Sequence, residues 1–565
     1  MRLHCWRLGA SRLRRRTESC ALIVLAAIVF LAVGALAQGS AIAAPPSGDS
    51  SATALQQHLQ QLQQLNQESA PPKQQGDVVV TSPLGRAALP KPGGPRVLLK
   101  TVTFSPPSVF LSQAELDAIT AKYIGHKVDF SQISALVREV NDLYATKGIV
   151  TASAILPPQK LTDGNLKVQL VEGRVGVVQI VGPHRTHDQY ILDRVHFDTQ
   201  GVVDVPKAAR DITWYNKTNA AQLRLLLQPG ASFGLTNLSL GITEPPANTL
   251  QFFLDNEGVP STGEIEYGAY YRGYDMLGVD DNLTLYATAT GGSVAGTISY
   301  DLPITTSGTR LAASYTRSGI AVIDGPTEPL DITGNSQAGS LTISQPIIAT
   351  PDWTVLASLS GVYGTSTSDA GSTPLVDSET TKAVAGLGIT YTGAGRTFSF
   401  NPQLIYANAN DHLNGTSADI LLAAGTASGA FSLSKDFSVD ATGAFQISNT
   451  SLLPGDLLFQ IGGASTVRGY QADAVAGDSG YYAQFELHRE LSEIVSGLDG
   501  FVFTDVGQVY STFPAVTTLA SVGLGVSWAI NDRATAELSA GFPVVNAIAD
   551  QPTVTIYARF IAHAF

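Results

Sequence analysis

A run of strict alternation constrains this chain more than any other feature. Phe437, Val439, Ala441, Gly443, Phe445 and Ile447 interleave with Ser438, Asp440, Thr442, Ala444, Gln446 and Ser448. Successive side chains of a strand point to opposite faces, so this stretch offers one apolar and one polar surface over a length that crosses a bilayer. Leu283, Leu285, Ala287 and Ala289 alternate with Thr284, Tyr286, Thr288 and Thr290 in the same way. So do Phe398, Phe400, Leu404 and Tyr406 with Thr397, Ser399, Asn401 and Gln403. A soluble β-sandwich also alternates, so the pattern leaves both architectures open. Helical periodicity is absent after Pro246, and one strand with its connection per roughly 20 residues places about 16 antiparallel strands between Thr249 and Phe565.

Charged residues make up 14% of the chain, well below the roughly 25% of soluble domains. A helical membrane protein would carry several apolar runs of about 20 residues, but there is one, Ala21 to Ala37. Arg2, Arg7, Arg12, Arg14, Arg15 and Arg16 precede it, and Ala35-Leu36-Ala37 and Ala41-Ile42-Ala43 supply small-residue cleavage sites. This is the plan of a secretory signal peptide over residues 1–43, with a single membrane anchor as the alternative. Cys5 and Cys20 both fall inside it, so the exported chain carries no thiol and no disulfide, and a closed barrel is one other way to stabilise it. Of 34 basic and 47 acidic residues, removal of the six arginines and Glu18 leaves 28 and 46, a balance that argues against nucleic-acid binding.

Changes of texture divide the rest. Residues 44–95 hold a candidate helix over 52–68, with Leu55, Leu59, Leu62 and Leu65 on one stripe, and a Pro- and Gly-rich linker from Ser69 to Pro95. A short coiled coil or a nascent helix in a linker is the plainer reading of that stripe. Residues 96–172 and 173–247 read as two small α/β modules. In the first, a strand at 97–104 is followed by a helix opening on the capping-box pattern Ser112-Gln113-Ala114-Glu115, a second helix at 130–147 with Ile133, Val137, Val140 and Tyr144 on one face, and strands at 152–156 and 166–171. The second repeats this order β-α-α-β-β with strands at 175–181, 222–227 and 235–243 and helical material at 189–194 and 207–214. Residues 248–565 are the barrel region.

Within that region, Gly462-Gly463-Ala464-Ser465-Thr466-Val467-Arg468-Gly469-Tyr470 places one arginine in a run without other charges. An arginine there is costly in any apolar setting unless a carboxylate pairs with it. Asp163-Gly164 to Val171-Glu172-Gly173, Glu244-Pro245-Pro246, Asp255-Asn256-Glu257-Gly258 with Ser261-Thr262-Gly263, Gly477-Asp478-Ser479-Gly480-Tyr481-Tyr482 with Glu486, Phe503-Thr504-Asp505-Val506-Gly507 and Leu519 to Gly525 accompany it. With these motifs the chain resembles the two-partner secretion transporters of the haemolysin secretion/activation type, in the Omp85 superfamily.

The resemblance covers nearly the whole exported chain. It implies a transmembrane antiparallel β-barrel of about 16 strands, preceded by two POTRA modules and an N-terminal plug helix. It places Val467, Arg468, Gly469 and Tyr470 at the tip of a loop folded back into the barrel, with Arg468 paired to Asp505 on a wall strand that also carries Phe503 and Gly507. It makes the stripe Leu55, Leu59, Leu62 and Leu65 part of a removable plug, and Phe565 the terminal assembly signal. Arg559 and His563 interrupt the alternation expected of the last strand, and Trp214 to Asn219 replace the leucine-rich helix end usual in the second module. The implied function is capture of an unfolded exoprotein in the periplasm and its passage to the cell surface across the Gram-negative outer membrane. Implied partners are a large secreted adhesin, haemolysin or toxin, membrane lipid, and the barrel assembly machinery. An assembly factor of the same superfamily and a passive porin are the alternatives.

No cofactor or metal is expected, since the nine histidines show no paired ligand spacing. Catalysis is not expected either. Gly477-Asp478-Ser479-Gly480 has the look of a protease nucleophile segment but no matching triad, and Ser432-Leu433-Ser434-Lys435 lies on a strand-like stretch.

Overall fold

The alternating segments of the C-terminal region close into a single barrel in the computed structural model. It describes residues 51, 52, 54, 55, 58, 59, 61, 62, 78–80, 90–510 except 162 and 200, 516–548 and 551–564. The expected signal peptide, Leu65, most of the linker and Phe565 lie outside the described residues.

Sixteen antiparallel strands pair in sequence order, and Asn248–Asp255 meets Thr555–His563 to close the ring. The closure seam is short, from Gln251 opposite His563 to Asp255 opposite Arg559. Elsewhere the wall is tall: Trp353–Ala370 and Thr373–Gly393 are 18 and 21 residues long.

Pairing register converts alternation into two surfaces. Leu487, Val502 and Leu524 lie side by side across three strands and are exposed, as are Leu285 and its partner Ile298. On the same strands Tyr286, Thr288, Thr297, Phe503 and Asp505 are buried on the inner side. An outward apolar band with polar groups inside is what lipid outside and a lumen inside require. Among the described residues no helix is long and apolar enough to cross a membrane.

The last strand corrects one expectation. Ile556, Ala558 and Phe560 are exposed on the outer face, whereas Tyr557 is buried and Arg559 and His563 share its inward parity. Arg559 and His563 therefore leave the lipid-facing alternation intact. Arg559 stands 4.0 Å from Asp255 and over the ring of Phe253, in the lumen where its charge has partners.

Two α/β units precede the barrel. In the first, Thr101–Ser105, Asn165–Glu172 and Ala152–Ile155 form a sheet in that order, covered by helices Gln113–Thr120 and Phe130–Thr146. Both helices open on capping boxes, Ser112 with Glu115 and Asp129 with Gln132. Leu136, Val140, Tyr144, Leu166 and Val168 fill the core, each worth roughly 1.5–3 kcal/mol of burial. The expected strand at 97–104 is broken, because Val97–Leu98 turns aside to pair with Lys127–Val128.

The second unit orders its sheet Val78–Val80, Gln222–Pro229, Leu235–Thr243, Arg174–Val181. Its main helix, Val205–Thr218, starts from the Asp204 cap and runs past the expected 214. The helix carries Trp214 to the barrel rim, where its indole N–H donates to the Ser307 carbonyl at 3.2 Å. Arg194 reaches the Thr305 carbonyl of the same turn at 2.7 Å.

The firmest joint lies at the turn 275–281. Asp280, 1% exposed, accepts from the Ala220 amide at 2.9 Å, the Tyr274 hydroxyl at 2.8 Å and Arg310 Nη1 at 3.0 Å. The His187 amide donates to the Gly278 carbonyl at 2.9 Å. Nearby, burial pushes the Glu244 carboxyl up, but donors from Thr186 and the Arg185 amide outweigh it and hold the group below its ordinary range.

Candidate functional site

The long connection 449–478 joins Phe437–Ser448 to Ser479–Glu490 and folds back into the barrel. A small hairpin, Phe459–Ile461 with Val475–Gly477, stiffens its base. Ile461, Val467, Tyr470 and Val475 bury themselves against Val509 and Leu519 of the wall. The apolar residues of the tip thus hold a charged one in place between them.

Arg468 is that charge. Its Nε and Nη2 donate to Asp505 Oδ2 and Oδ1, each at 2.8 Å, and its backbone N–H adds a third bond to Oδ2 at 3.0 Å. Nη1 reaches Glu486 on the neighbouring wall strand, and the guanidinium lies 3.6 Å over the Phe503 ring. Arg468 is 6% exposed at its side chain and Asp505 not at all. A buried pair is stable only when such a fork and further hydrogen bonds offset desolvation. Both conditions are met here.

The flanking residues are placed by space rather than charge. Gly469 has φ +90°, a backbone conformation costly to any residue with a Cβ. Its amide donates to the Tyr557 hydroxyl at 2.9 Å, which donates onward to the Tyr470 carbonyl at 2.8 Å. The Tyr470 hydroxyl lies 2.7 Å from the Val545 carbonyl. A Cβ on Gly507 would come within 2.9 Å of Val467 Cγ2, so the glycine leaves the notch that Val467 fills.

The structure therefore brings together Val467, Arg468, Gly469, Tyr470, Phe503, Asp505 and Gly507. Sequence reasoning missed Glu486 as a second carboxylate on Arg468, and Tyr557 altogether. Glu486 was visible as a charge on the polar parity of an alternating strand. Tyr557, 87 residues from Tyr470, carried no local signal.

A second group of contacts involves Ser51, His58, Gln61 and Leu62, helical residues that lie against the inner wall. Leu55 and Leu62 are buried and Leu59 partly so, and Leu62 packs with Phe253, Tyr270 and Tyr286. His58, 2% exposed, lies 3.1 Å from the Thr288 hydroxyl and 3.0 Å from that of Thr297, and stacks on Tyr286. Gln61 donates to Glu266 at 2.9 Å, and Ser51 lies 2.9 Å from the Ser366 hydroxyl. The leucine stripe alone did not disclose His58, Gln61 or Ser51, since polar residues of a helix are ordinarily assigned to its solvated side. Among the described residues no cluster of ligand-type side chains could hold a metal ion.

Comparison with known proteins places this geometry. The family model described as haemolysin secretion/activation protein ShlB/FhaC/HecB matches residues 234–528, and a POTRA domain of ShlB type matches 98–173. The chain is 23% identical over 477 residues to the heme/hemopexin transporter protein HuxB of Haemophilus influenzae (strain 86-028NP), covering 77% of this chain and 81% of HuxB. It is 23% identical to the outer membrane transporter CdiB of Escherichia coli, covering 87% of this chain and 86% of CdiB. The solved structure of CdiB from Escherichia coli shares the fold with a TM-score of 0.63 at 19% identity, over 93% of this chain and 100% of that one. The chain belongs to the haemolysin secretion/activation protein family, the outer-membrane translocators of two-partner secretion.

Proposed function

We propose that this translocator holds its lumen shut at rest by two removable elements and takes its exoprotein as an extended strand from the periplasm. The observation that carries the reading is the occupied lumen. Helical residues Ser51 and His58 rest on Ser366, Thr288 and Thr297 through uncharged hydrogen bonds, and the Arg468 tip is clamped to Asp505. Contacts of the first kind, modest and exchangeable with water, suit a plug that must leave.

Capture is assigned to sheet edges of the two modules, because main-chain pairing reads extension rather than sequence. Ala152–Ile155 is an edge strand of the first sheet, and Val78–Val80 of the chain's own linker pairs with Leu225, Leu226 and Leu227 at an edge of the second. The partner is a large secreted adhesin, haemolysin or toxin. Lipid contacts fall to the outward apolar band, the barrel assembly machinery acts during biogenesis, and neither nucleic acid nor catalysis has a part.

The test compares proteins in the culture supernatant of the native strain with those of a strain lacking this chain, complemented by wild type or Arg468→Ala. Loss of one large polypeptide, restored by wild type and not by the variant, supports the reading. An unchanged supernatant with depleted outer-membrane barrels points instead to an assembly factor. Two modules among the described residues, together with a lumen-seated helix, disfavour that alternative.

A further inference from the structure

His488 sits on the inward parity of the strand Ser479–Glu490, two residues below Glu486 and beside the periplasmic end of the next strand. Its Nδ1 lies 2.6 Å from Asp499 Oδ1 and its Nε2 2.9 Å from Glu486 Oε2. Asp440, on the strand to the other side, is 3.7 Å from Nε2. The ring also stacks on Phe501, with centroids 5.1 Å apart. Carboxylates only accept hydrogen bonds, so two of them facing the two ring nitrogens are satisfied together only by an imidazolium that donates from both.

Glu486 is thereby shared. One oxygen faces His488 and the other the Arg468 guanidinium. With Asp505, the groups form an unbroken row on the inner wall: Asp505, Arg468, Glu486, His488, Asp499, with Asp440 alongside. The row starts at the loop tip and finishes near the connection 491–497, the end of the barrel from which the modules hang. A lumenal cavity of about 310 Å³ opens on Asp440, Thr442 and Glu486, giving water a path to the imidazole.

We propose that His488 is a positioning residue of the loop clamp: as an imidazolium it fixes Glu486 against Arg468, and its deprotonation loosens the clamp from the entry side of the barrel. The proposal rests on the reading that the Arg468 contact keeps the lumen shut. His488 does not touch Arg468 and acts through Glu486. Removing one proton from the ring turns the nitrogen facing Glu486 or Asp499 into an acceptor opposite a carboxylate, so one of the two must swing away. If Glu486 moves, Arg468 keeps Asp505 alone.

The experiment records channel openings of the full chain in planar bilayers over a range of pH, for wild type, His488→Gln, His488→Lys and Arg468→Ala, each first checked for the heat-modifiable gel mobility of a folded barrel. Wild type is expected to open more often as rising pH strips the imidazolium. His488→Gln, which cannot carry the charge, should open roughly tenfold more often at neutral pH, the scale of one charge-assisted hydrogen bond, and lose the pH profile. His488→Lys, a cation that still reaches Glu486, should restore the low frequency. A wild-type profile flat with pH, or His488→Gln indistinguishable from wild type while Arg468→Ala opens the channel, overturns the proposal and leaves the clamp standing. If Arg468→Ala also leaves opening unchanged, the clamp reading falls and this inference with it.

Discussion

Gly541 lies so close beneath Gly469 that a Cβ added to it would come within 2.5 Å of the Gly469 nitrogen. The loop tip and the wall meet there backbone to backbone, and no side chain is tolerated between them. Gly541→Ala is expected to lift the tip, at a cost of about 1–3 kcal/mol typical of overpacking. Channel recordings should show more frequent opening with the barrel still folded. Unchanged opening would mean that the tip does not gate conductance.

Arg468→Ala leaves Asp505 buried without its partner, a loss of about 3–5 kcal/mol, and Asp505→Ala leaves Arg468 with Glu486 as its remaining carboxylate. The double variant removes both members of the fork and leaves Glu486 with His488. Its secretion defect and its loss of thermal stability are expected to fall short of the sum of the singles, with a coupling of about 0.5–3 kcal/mol. Strictly additive effects would show that the two residues act separately.

The seat of the lumenal helix can be tested at one residue. His58→Ala removes two hydrogen bonds and a stacked ring, together about 2–3 kcal/mol. Resting conductance should rise at least tenfold, towards that of a deletion of residues 52–68. His58→Phe keeps the stacking and should fall between the two. If the deletion raises conductance and His58→Ala does not, the helix is held by its leucines and by Gln61 and Ser51 without His58.

Asp280 ties the second module to the barrel, and Asp280→Ala leaves two backbone amides without their acceptor and Arg310 with Asp301 as its one carboxylate. The barrel should still fold, while limited proteolysis at residues 244–248 speeds up severalfold and secretion drops. Protease resistance equal to wild type would assign the joint to Trp214 and Arg194 instead.

In the first module, the hydrogen bond from Lys147 and the cap at Ser112 lower the Glu115 carboxyl to about 2. A group depressed in the folded state adds stability above its unfolded value, near 4.3, and that stability is lost as pH falls through the folded value. Hydrogen exchange of Gln113–Thr120 in the full chain should accordingly quicken as the medium is acidified from about pH 5 towards pH 2, beyond the intrinsic pH effect. Glu115→Gln should be poorly protected throughout and without that added dependence. Identical profiles for the two proteins would remove Glu115 from the cap.

Barrel and modules were legible because each rests on local rules. Alternation at Phe437–Ser448 fixes which face meets lipid, and Ser112 with Glu115 announces a helix start three residues apart. The motif around Arg468 drew attention through the cost of a lone charge, which demands a partner without saying where. What stayed hidden depends on chain closure. Arg559 and His563 seemed misplaced when counted from the chain's last residue, and only the seam with Gln251–Asp255 shows them facing inward. His58 gave no signal because its partners, Thr288 and Thr297, lie more than 200 residues away and look like ordinary strand hydroxyls.

The barrel is built of an even number of strands. Asn248 therefore begins its first crossing, and His563 ends its last, on the same side of the membrane as the two modules. Among the described residues, hairpin tips such as 290–292, 371–372 and 412–415 are left to face the surroundings, whereas 449–478 turns inward. An antibody, a phage or a neighbouring cell thus meets turns whose sequence can drift freely, because the register of every wall strand is set deeper in, by pairing. The exterior can change its appearance while the clamp beneath it stays the same.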